Sequence, residues 1–348
     1  MLLAIGFLVS AMYWPGQFGA ASFSRWALLY AAVPILLCTV RIRPGPVHWV
    51  GLAALAWVVA SFAWTPVWYD GVDELAAILV VAGAFCVFAE VDDIRPLWRG
   101  LGLGMCLSSA IAVAQAIGYS PVVVVADGAP PSGLYVNPNV LGEAAAVVLV
   151  GLLGFRQWWL AAGVVPGLIL SQSRGAAVAL VACVVAYAWR RSRMATLAVA
   201  PMVAMVVFLA APDKWLASDS LSIRAQLWAD TADGLTFAGH GIGSFYAVFP
   251  AAATRTDVGA LQPAHAHNDA LEIIFEFGIG SALIFAWMAM VWLAAAERER
   301  LVLLAIACMA MVAFPLHNAT TAFVLAAVAG SAARNWARVW SAAARRGP

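Results

Sequence analysis

Long apolar runs, separated by short stretches with arginine or turn residues, make up almost the whole chain. Only 11% of its 348 residues are charged and 64% are hydrophobic, whereas soluble domains carry about 25% charged residues. A helix needs about 20 predominantly apolar residues to cross a bilayer, and cutting the chain at charges and turns predicts about twelve such helices. The sequence therefore predicts an all-α, polytopic membrane protein. The predicted spans lie near 2–14, 24–40, 47–64, 72–90, 97–118, 138–155, 158–172, 175–190, 194–211, 268–295, 300–316 and 318–334.

Basic residues are distributed unevenly between the two sets of predicted loops. If both termini are cytoplasmic, 14 of the 19 lysines and arginines lie on the cytoplasmic side, as the positive-inside rule leads us to expect. The outer side then carries Arg25, Arg174, Lys214, Arg224 and Arg255. We therefore expect one transmembrane domain over residues 1–348, with both termini inside and one long outer loop at 212–267.

Charge and cysteine content exclude several other classes of protein. The net charge of +1 gives no basic surface of the kind that binds nucleic acid, so no nucleic-acid partner is expected. The five cysteines lie singly inside apolar runs, and no C-x-x-C pair is present. Neither a disulfide framework nor a cysteine-ligated metal is indicated.

The densest group of ionisable residues lies at the start of the predicted span 268–295. His265 and His267 precede Asn268, and Asn268, Glu272 and Glu276 are spaced four apart, which places them on one face of a helix. Three interpretations remain open. The polar residues cap and satisfy the helix; or His265, His267 and Glu272 bind zinc; or His267 is a general base oriented by a neighbouring acid.

Two further motifs lie on the predicted outer face. Asn137 precedes Pro138, which is typical of a helix N-cap followed by proline in the first turn. In that case Asn139 and Glu143 either belong to an ordinary helix start or line a polar cleft. Arg174 lies on a tight turn between two apolar runs, beside Ser173. It either reaches the lipid headgroups or holds an anion such as phosphate, which a guanidinium binds with two hydrogen bonds.

The long outer loop and the last predicted turn add more candidates. Arg224 lies in a segment with helical spacing, where it either pairs with a nearby acid or faces the site. The glycines of residues 239–243 are interpreted as a sharp backbone turn next to a substrate. His317 follows Pro315 and either brings a further histidine to the same face or belongs to a polar turn.

The order of these motifs resembles the O-antigen ligase family, which includes O-antigen ligases, O-antigen polymerases and bacterial O-oligosaccharyltransferases. The resemblance is carried by Asn137-Pro138-Asn139, Ser173-Arg174-Gly175, Arg224 with Trp228, the glycines at 239, 241 and 243, and His267-Asn268 followed by Leu271-Glu272 and Glu276. It implies a glycosyltransferase-C-like helical fold in the bacterial inner membrane, with the active face in the periplasm.

The resemblance also implies the chemistry and the partners. The donor would be a glycan on undecaprenyl diphosphate, and the acceptor hydroxyl would belong to a glycan or to lipid A–core, all within the membrane lipid. Arg174 and Arg224 would bind the diphosphate, and His267 would take the proton of the acceptor. The other candidates would line the site: Asn139, Glu143, His265, Asn268, Glu272, Glu276 and His317. Because arginines can stabilise the leaving diphosphate, no metal or cofactor is expected.

Three alternatives to a ligase stay open. A polymerase of the same chemistry differs only in its acceptor. A transporter for the same lipid would carry charged residues along its spans, whereas here they gather at span ends and in loops. A zinc-dependent hydrolase would need a metal at the paired histidines.

Overall fold

The computed structural model describes residues 1–13, 20–120, 129–193, 196, 219–259 and 263–346. Within that part, the regular secondary structure is helical, as the sequence predicts. Of the predicted span at 194–211 only residue 196 is among the described residues, and Lys214 lies outside them.

The helices follow one another with short connections. The first eight are α1 (Leu2–Ala11), α2 (Ala20–Leu37), α3 (Pro46–Ala60), α4 (Trp68–Glu90), α5 (Arg95–Ala116), α6 (Pro138–Gly154), α7 (Trp158–Ser171) and α8 (Arg174–Arg191). They are followed by α9 (Asp219–Asp233), α10 (Phe245–Ala252), α11 (Asp269–Phe277), α12 (Ser281–Ala294), α13 (Glu297–Ala310) and α14 (Ala319–Arg346).

The apolar helices indicate a multi-pass membrane protein. Four described segments are long and apolar enough to cross a bilayer: Pro46–Ala63, Trp68–Glu90, Arg95–Ala116 and Asp269–Ala294. Shorter apolar helices cover Leu2–Ala11, Phe23–Leu37, Pro138–Gly154 and Trp158–Ser171. The predicted total of about twelve spans stays a prediction, because several apolar runs form helices shorter than a full crossing.

Small residues allow the first helix to pack closely on α5. A Cβ at Gly100 would overlap the backbone of Leu3, and one at Gly6 would lie 2.5 Å from the carbonyl oxygen of Leu97. The Ser10 hydroxyl donates across the same contact to the carbonyl of Leu101, at 3.1 Å. Backbone contact of this kind is a common way for apolar helices to associate where the surrounding solvent is itself apolar.

Basic residues collect at one end of the helix bundle, which we call the basic end. Arg95 pairs with Asp93 at the start of α5, and Arg334 and Arg338 of α14 pair with Asp92. The backbone N–H of Arg43 donates to Glu90 at the end of α4. These arginines belong to the set for which the sequence predicts the cytoplasmic side.

Several helices begin at the opposite end, which we call the site end, and four of them have a polar N-cap. A polar side chain accepts a backbone N–H in the first turn of each: Asn137 from Asn139, Ser173 from Ala176, Asn268 from Leu271 and Asn318 from Thr320. The predicted N-cap of Asn137 and the predicted helix start at Asn268 are thereby confirmed. The starts are linked, since the Tyr135 hydroxyl bonds Thr320 at 3.1 Å and Asp269 accepts from the Leu316 N–H at 3.0 Å.

The described part of the long loop is folded onto the site end. Asp230 of α9 is fully buried and accepts hydrogen bonds from the side chain of Thr254 and the backbone N–H groups of Arg255 and Thr256. Burial would raise the pKa of Asp230, but these hydrogen bonds outweigh it and hold the pKa well below its ordinary value. The charged carboxylate thus ties residues 254–256 to α9.

Candidate functional site

Arg174 is the first residue of α8, so its guanidinium and the start of the helix bring positive charge to the same place. The turn before it is held close against α6. A Cβ at Gly142 would overlap Ser173 and lie 2.6 Å from the hydroxyl of Ser171. This contact places Glu143, the next residue of α6, beside the turn. Glu143 faces protein rather than lipid, with 3% of its surface exposed.

Arg224 reaches the same region from α9. The indole N–H of Trp228, one turn further on, donates to the carbonyl of Ala266 at 3.0 Å and fixes α9 against the segment that carries the paired histidines. Burial and the neighbouring charge of Arg174 lower the pKa of Arg224, while Glu143 opposes them. Two guanidinium groups and one buried carboxylate therefore lie within electrostatic reach of one another.

His267 completes this group, which we call the arginine cluster (Glu143, Arg174, Arg224 and His267). Its backbone has φ of 52°, a left-handed conformation that costs a non-glycine residue roughly 1 kcal/mol or more. Its ring packs edge-on against Phe314, with centroids 4.9 Å apart. Burial and the charges of Arg224 and His265 lower its pKa to about 4. The imidazole is therefore neutral at pH 7 and able to accept a proton.

A second group lies on the other side of the histidine segment. We call it the acidic cluster (Glu74, His265, Asp269, Glu272 and His317). Nδ1 of His265 lies 2.9 Å from Oε1 of Glu272, and Nε2 of His317 lies 3.4 Å from the same oxygen. The ring centroids of His265 and His317 are 3.9 Å apart. His317 therefore lies beside His265 and Glu272. Of its two interpretations, this agrees with the one in which it brings a further histidine to the same face.

The hydrogen bonds of Glu272 connect it to one histidine of the pair. Glu272 bonds His265, not His267, and its second oxygen accepts from the backbone N–H of Ala266 at 2.7 Å. Among the described residues, no hydrogen bond joins His267 to an acid. The cause is the left-handed backbone at His267, beyond which the chain enters α11. Burial acts against protonation of His265, but the bond and charge of Glu272 outweigh it and raise the pKa of His265.

The glycine segment turns sharply, as predicted, and packs against protein backbone. Gly239, Gly241 and Gly243 have φ of 74°, 91° and 68°, values that glycine adopts without strain. The N–H groups of His240 and Gly241 donate to the last carbonyls of α11. The buried Glu276 accepts from the N–H of Phe245 at 3.0 Å. Glu276 is thus a structural anchor for the loop in addition to lining the cavity described next.

A cavity of about 720 Å³ opens beside the acidic cluster and extends between α2, α3, α4, α12 and α14. Its rim carries Asp70, Asp73, Glu74, Asp269, Glu272 and Glu276, and its walls include Trp26, Val58, Ile78, Phe85, Ile284 and Trp287. Among the described residues that line it, none is lysine or arginine. The cavity therefore combines an acidic mouth with an apolar interior.

The remaining sequence candidates have clear positions. Asn139 is exposed in the first turn of α6, where its N–H is bound by Asn137. Asn268 caps α11. Sequence reasoning missed Glu74 and Asp269 as members of the site. Three acids, Asp70, Asp73 and Glu74, lie in the first two turns of the otherwise apolar α4. The sequence could have indicated a functional site there, because charged side chains are energetically costly in a membrane helix.

Fold and site together define a multi-pass helical membrane protein with an ionisable site at one end of its bundle. Residues 159–286 match the family model described as Wzy_C, O-antigen ligase. The resemblance seen in the sequence is confirmed over this region. The matched region includes Arg174, Arg224 and His267. No curated protein matches the chain.

Proposed function

We propose that this protein transfers a glycan from undecaprenyl diphosphate to an acceptor hydroxyl at the periplasmic face of the bacterial inner membrane. The observation that carries the proposal is the arginine cluster. Arg174 is close enough for its charge to contribute to the lowered pKa of Arg224, and α8 begins at Arg174. A helix start and two guanidinium groups together favour a polyvalent anion such as diphosphate.

The transfer step follows from these groups. The acceptor oxygen attacks the anomeric carbon of the glycan, and the bond from that carbon to the diphosphate oxygen breaks with its electron pair. Arg174 and Arg224 stabilise the charge that develops on the diphosphate, so the step itself requires no metal. Neutral His267 accepts the hydroxyl proton. The products are the glycosylated acceptor and undecaprenyl diphosphate.

The apolar cavity supports a lipid-linked substrate. A chain of isoprene units or acyl carbons would bury its surface against the walls of the cavity. Its volume of about 720 Å³ lies within the range of about 300–1,000 Å³ typical of small-molecule sites. A transporter would need its charged residues along the spans, whereas here they lie at the site end.

Complementation tests the proposed function and separates ligase from polymerase. The gene is expressed in one strain that lacks its O-antigen ligase and in another that lacks its O-antigen polymerase, and lipopolysaccharide is resolved by gel electrophoresis. We expect the ligase-deficient strain to regain O-antigen attached to lipid A–core. Restored chain length only in the polymerase-deficient strain would assign the polymerase reaction instead. Restoration of neither, with the protein present in the membrane, would contradict the proposal.

A further inference from the structure

The carboxylates at the mouth of the cavity lie in an environment that favours a cation. Six acids line the cavity, and the described lining residues that can carry positive charge are His48, His265 and His317. Asp269 and Glu272 are 2% and 5% exposed. Buried carboxylates are costly unless they are paired or bind a metal. None of the arginines of the arginine cluster lines this cavity.

The atoms of the acidic cluster already have the spacing of ligands around one metal ion. Oε1 of Glu272 lies 2.9 Å from Nδ1 of His265 and 3.4 Å from Nε2 of His317. Ligand atoms about 2.0–2.1 Å from a tetrahedral zinc ion are separated from each other by about 3.3 Å. One ligand atom from each of these three residues lies within 4.8 Å of the others.

Asp269 supplies an independent observation. Its Oδ1 is buried and has no hydrogen-bond partner among the described residues, and it lies 3.7 Å from Nε2 of His317. A buried oxygen without a partner needs an explanation, and the binding of a metal ion is one. The other oxygen of Asp269 is fixed by the N–H of Leu316 at 3.0 Å.

Backbone contacts orient the two carboxylates of this group. Oε2 of Glu272 accepts from the N–H of Ala266, as Oδ2 of Asp269 does from Leu316. Each carboxylate therefore has one oxygen held by backbone and presents the other to the histidines. Hydrogen bonds that fix ligand orientation in this way are a regular feature of metal sites.

We propose that His265, Asp269, Glu272 and His317 bind one divalent transition-metal ion, with zinc as the ion that this ligand set fits best. Two imidazoles and two carboxylates favour zinc over calcium or magnesium, which prefer oxygen ligands throughout. The ligands come from the loop before α11, from α11 itself and from the turn before α14. The ion therefore ties the loop to the bundle next to the arginine cluster, and it takes no part in the transfer step.

Zinc binding to the purified, full-length protein tests this inference without any transfer assay. The protein is stripped with EDTA in detergent, given ZnCl₂ and desalted, and its zinc content and thermal unfolding are measured. We expect one zinc ion per chain and a higher unfolding temperature with zinc, since an ion that binds only the folded state stabilises it. X-ray absorption should show nitrogen and oxygen neighbours at about 2.0–2.2 Å.

Variants decide whether the ion occupies this cluster. His317→Ala and Glu272→Gln should each weaken zinc binding by about 100-fold or more. Loss of a contact that only supports a ligand costs about 10–100-fold in affinity, and loss of the ligand itself should cost at least as much. His48→Gln, at the opposite end of the cavity, should bind like the wild type. Absence of zinc from the wild type, or equal binding by a folded His317→Ala protein, would overturn the proposal. Asp269→Asn provides a milder change should His317→Ala fail to fold.

Discussion

At the residue scale, the two histidines of the H-x-H sequence face different surroundings. His265 bonds a carboxylate, which raises its pKa, whereas burial and nearby positive charge lower the pKa of His267 to about 4. Only His267 is therefore a neutral base next to the arginines. Residues that are two apart in sequence thus take separate roles, because the left-handed backbone at His267 turns the chain between them.

We expect that lysine cannot replace arginine at position 174. Arg174→Lys should lower the transfer rate nearly as much as Arg174→Ala, by about 10²–10³-fold, because an ammonium group cannot reproduce the planar, two-pronged contact with a diphosphate. The rate is measured as release of undecaprenyl diphosphate by purified variants. Arg95→Lys, an exposed change at the basic end, serves as the control. Near-normal transfer by Arg174→Lys would show that position 174 needs only positive charge.

At the element scale, the site depends on how closely α6 approaches the turn between α7 and α8. That approach is possible because Gly142 has no side chain at the contact with Ser171 and Ser173. The same contact places Glu143 next to the turn that carries Arg174. The sequence offered Gly142 as one small residue in an apolar run, without any sign of what it packs against.

Gly142→Ala should therefore displace Arg174 without removing any group from the site. We expect kcat/KM to fall by about 10²-fold, since a misplacement of 1 Å can have that effect. The matched control is Gly175→Ala, whose added Cβ would meet only Val312 at 3.6 Å. It should transfer normally. If Gly142→Ala were as active as Gly175→Ala, the close packing of α6 would have no bearing on the site.

The buried Asp230 is expected to hold the loop in a pH-dependent way. Because its pKa in the folded loop is below the ordinary value of about 3.9, its contribution is complete above about pH 4 and is lost as pH falls further. Hydrogen exchange at residues 254–256 should be at least tenfold faster in Asp230→Asn at pH 7, since bonds to a charged group contribute about 1.5–3 kcal/mol. The difference between variant and wild type should shrink at pH 3. Equal exchange at pH 7 would contradict this role.

The sequence predicted the elements better than their contacts. Apolar runs predicted the helices, and Asn137 and Asn268 predicted two helix starts, because these features depend on neighbouring residues. The bond of Glu272 to His265, the docking of the glycine segment on α11 and the inclusion of Glu74 all depend on segments far apart in the chain. No local pattern encodes such contacts, so the sequence could propose the members of the site without assigning their partners.

At the scale of the whole molecule, arginines expected in the cytoplasm lie at one end of the helix bundle, the basic end. The arginine cluster and the acidic cluster lie at the other end, so the site end carries Arg174, Arg224 and the paired histidines. The separation supports chemistry at one membrane face rather than passage of a substrate through the bundle.

The proposed orientation can be measured with single cysteines in a background free of the five native ones. Phe237→Cys at the site end, where the side chain is 80% exposed, should react with a membrane-impermeant maleimide in intact, outer-membrane-permeabilised cells. Asp93→Cys at the basic end should react only after the inner membrane is opened. The reverse pattern would place the site in the cytoplasm and exclude a periplasmic glycan donor.

Glycan transfer by the purified protein in liposomes tests the central claim most directly. The liposomes contain an undecaprenyl diphosphate-linked glycan and lipid A–core as acceptor, and glycosylated acceptor and free undecaprenyl diphosphate are measured together. We predict that the wild type forms both in equal amounts and that folded His267→Ala is slower by about 10²–10⁴-fold. Transfer by His267→Ala at a rate close to that of the wild type would contradict the account, as would donor turnover without any glycosylated acceptor.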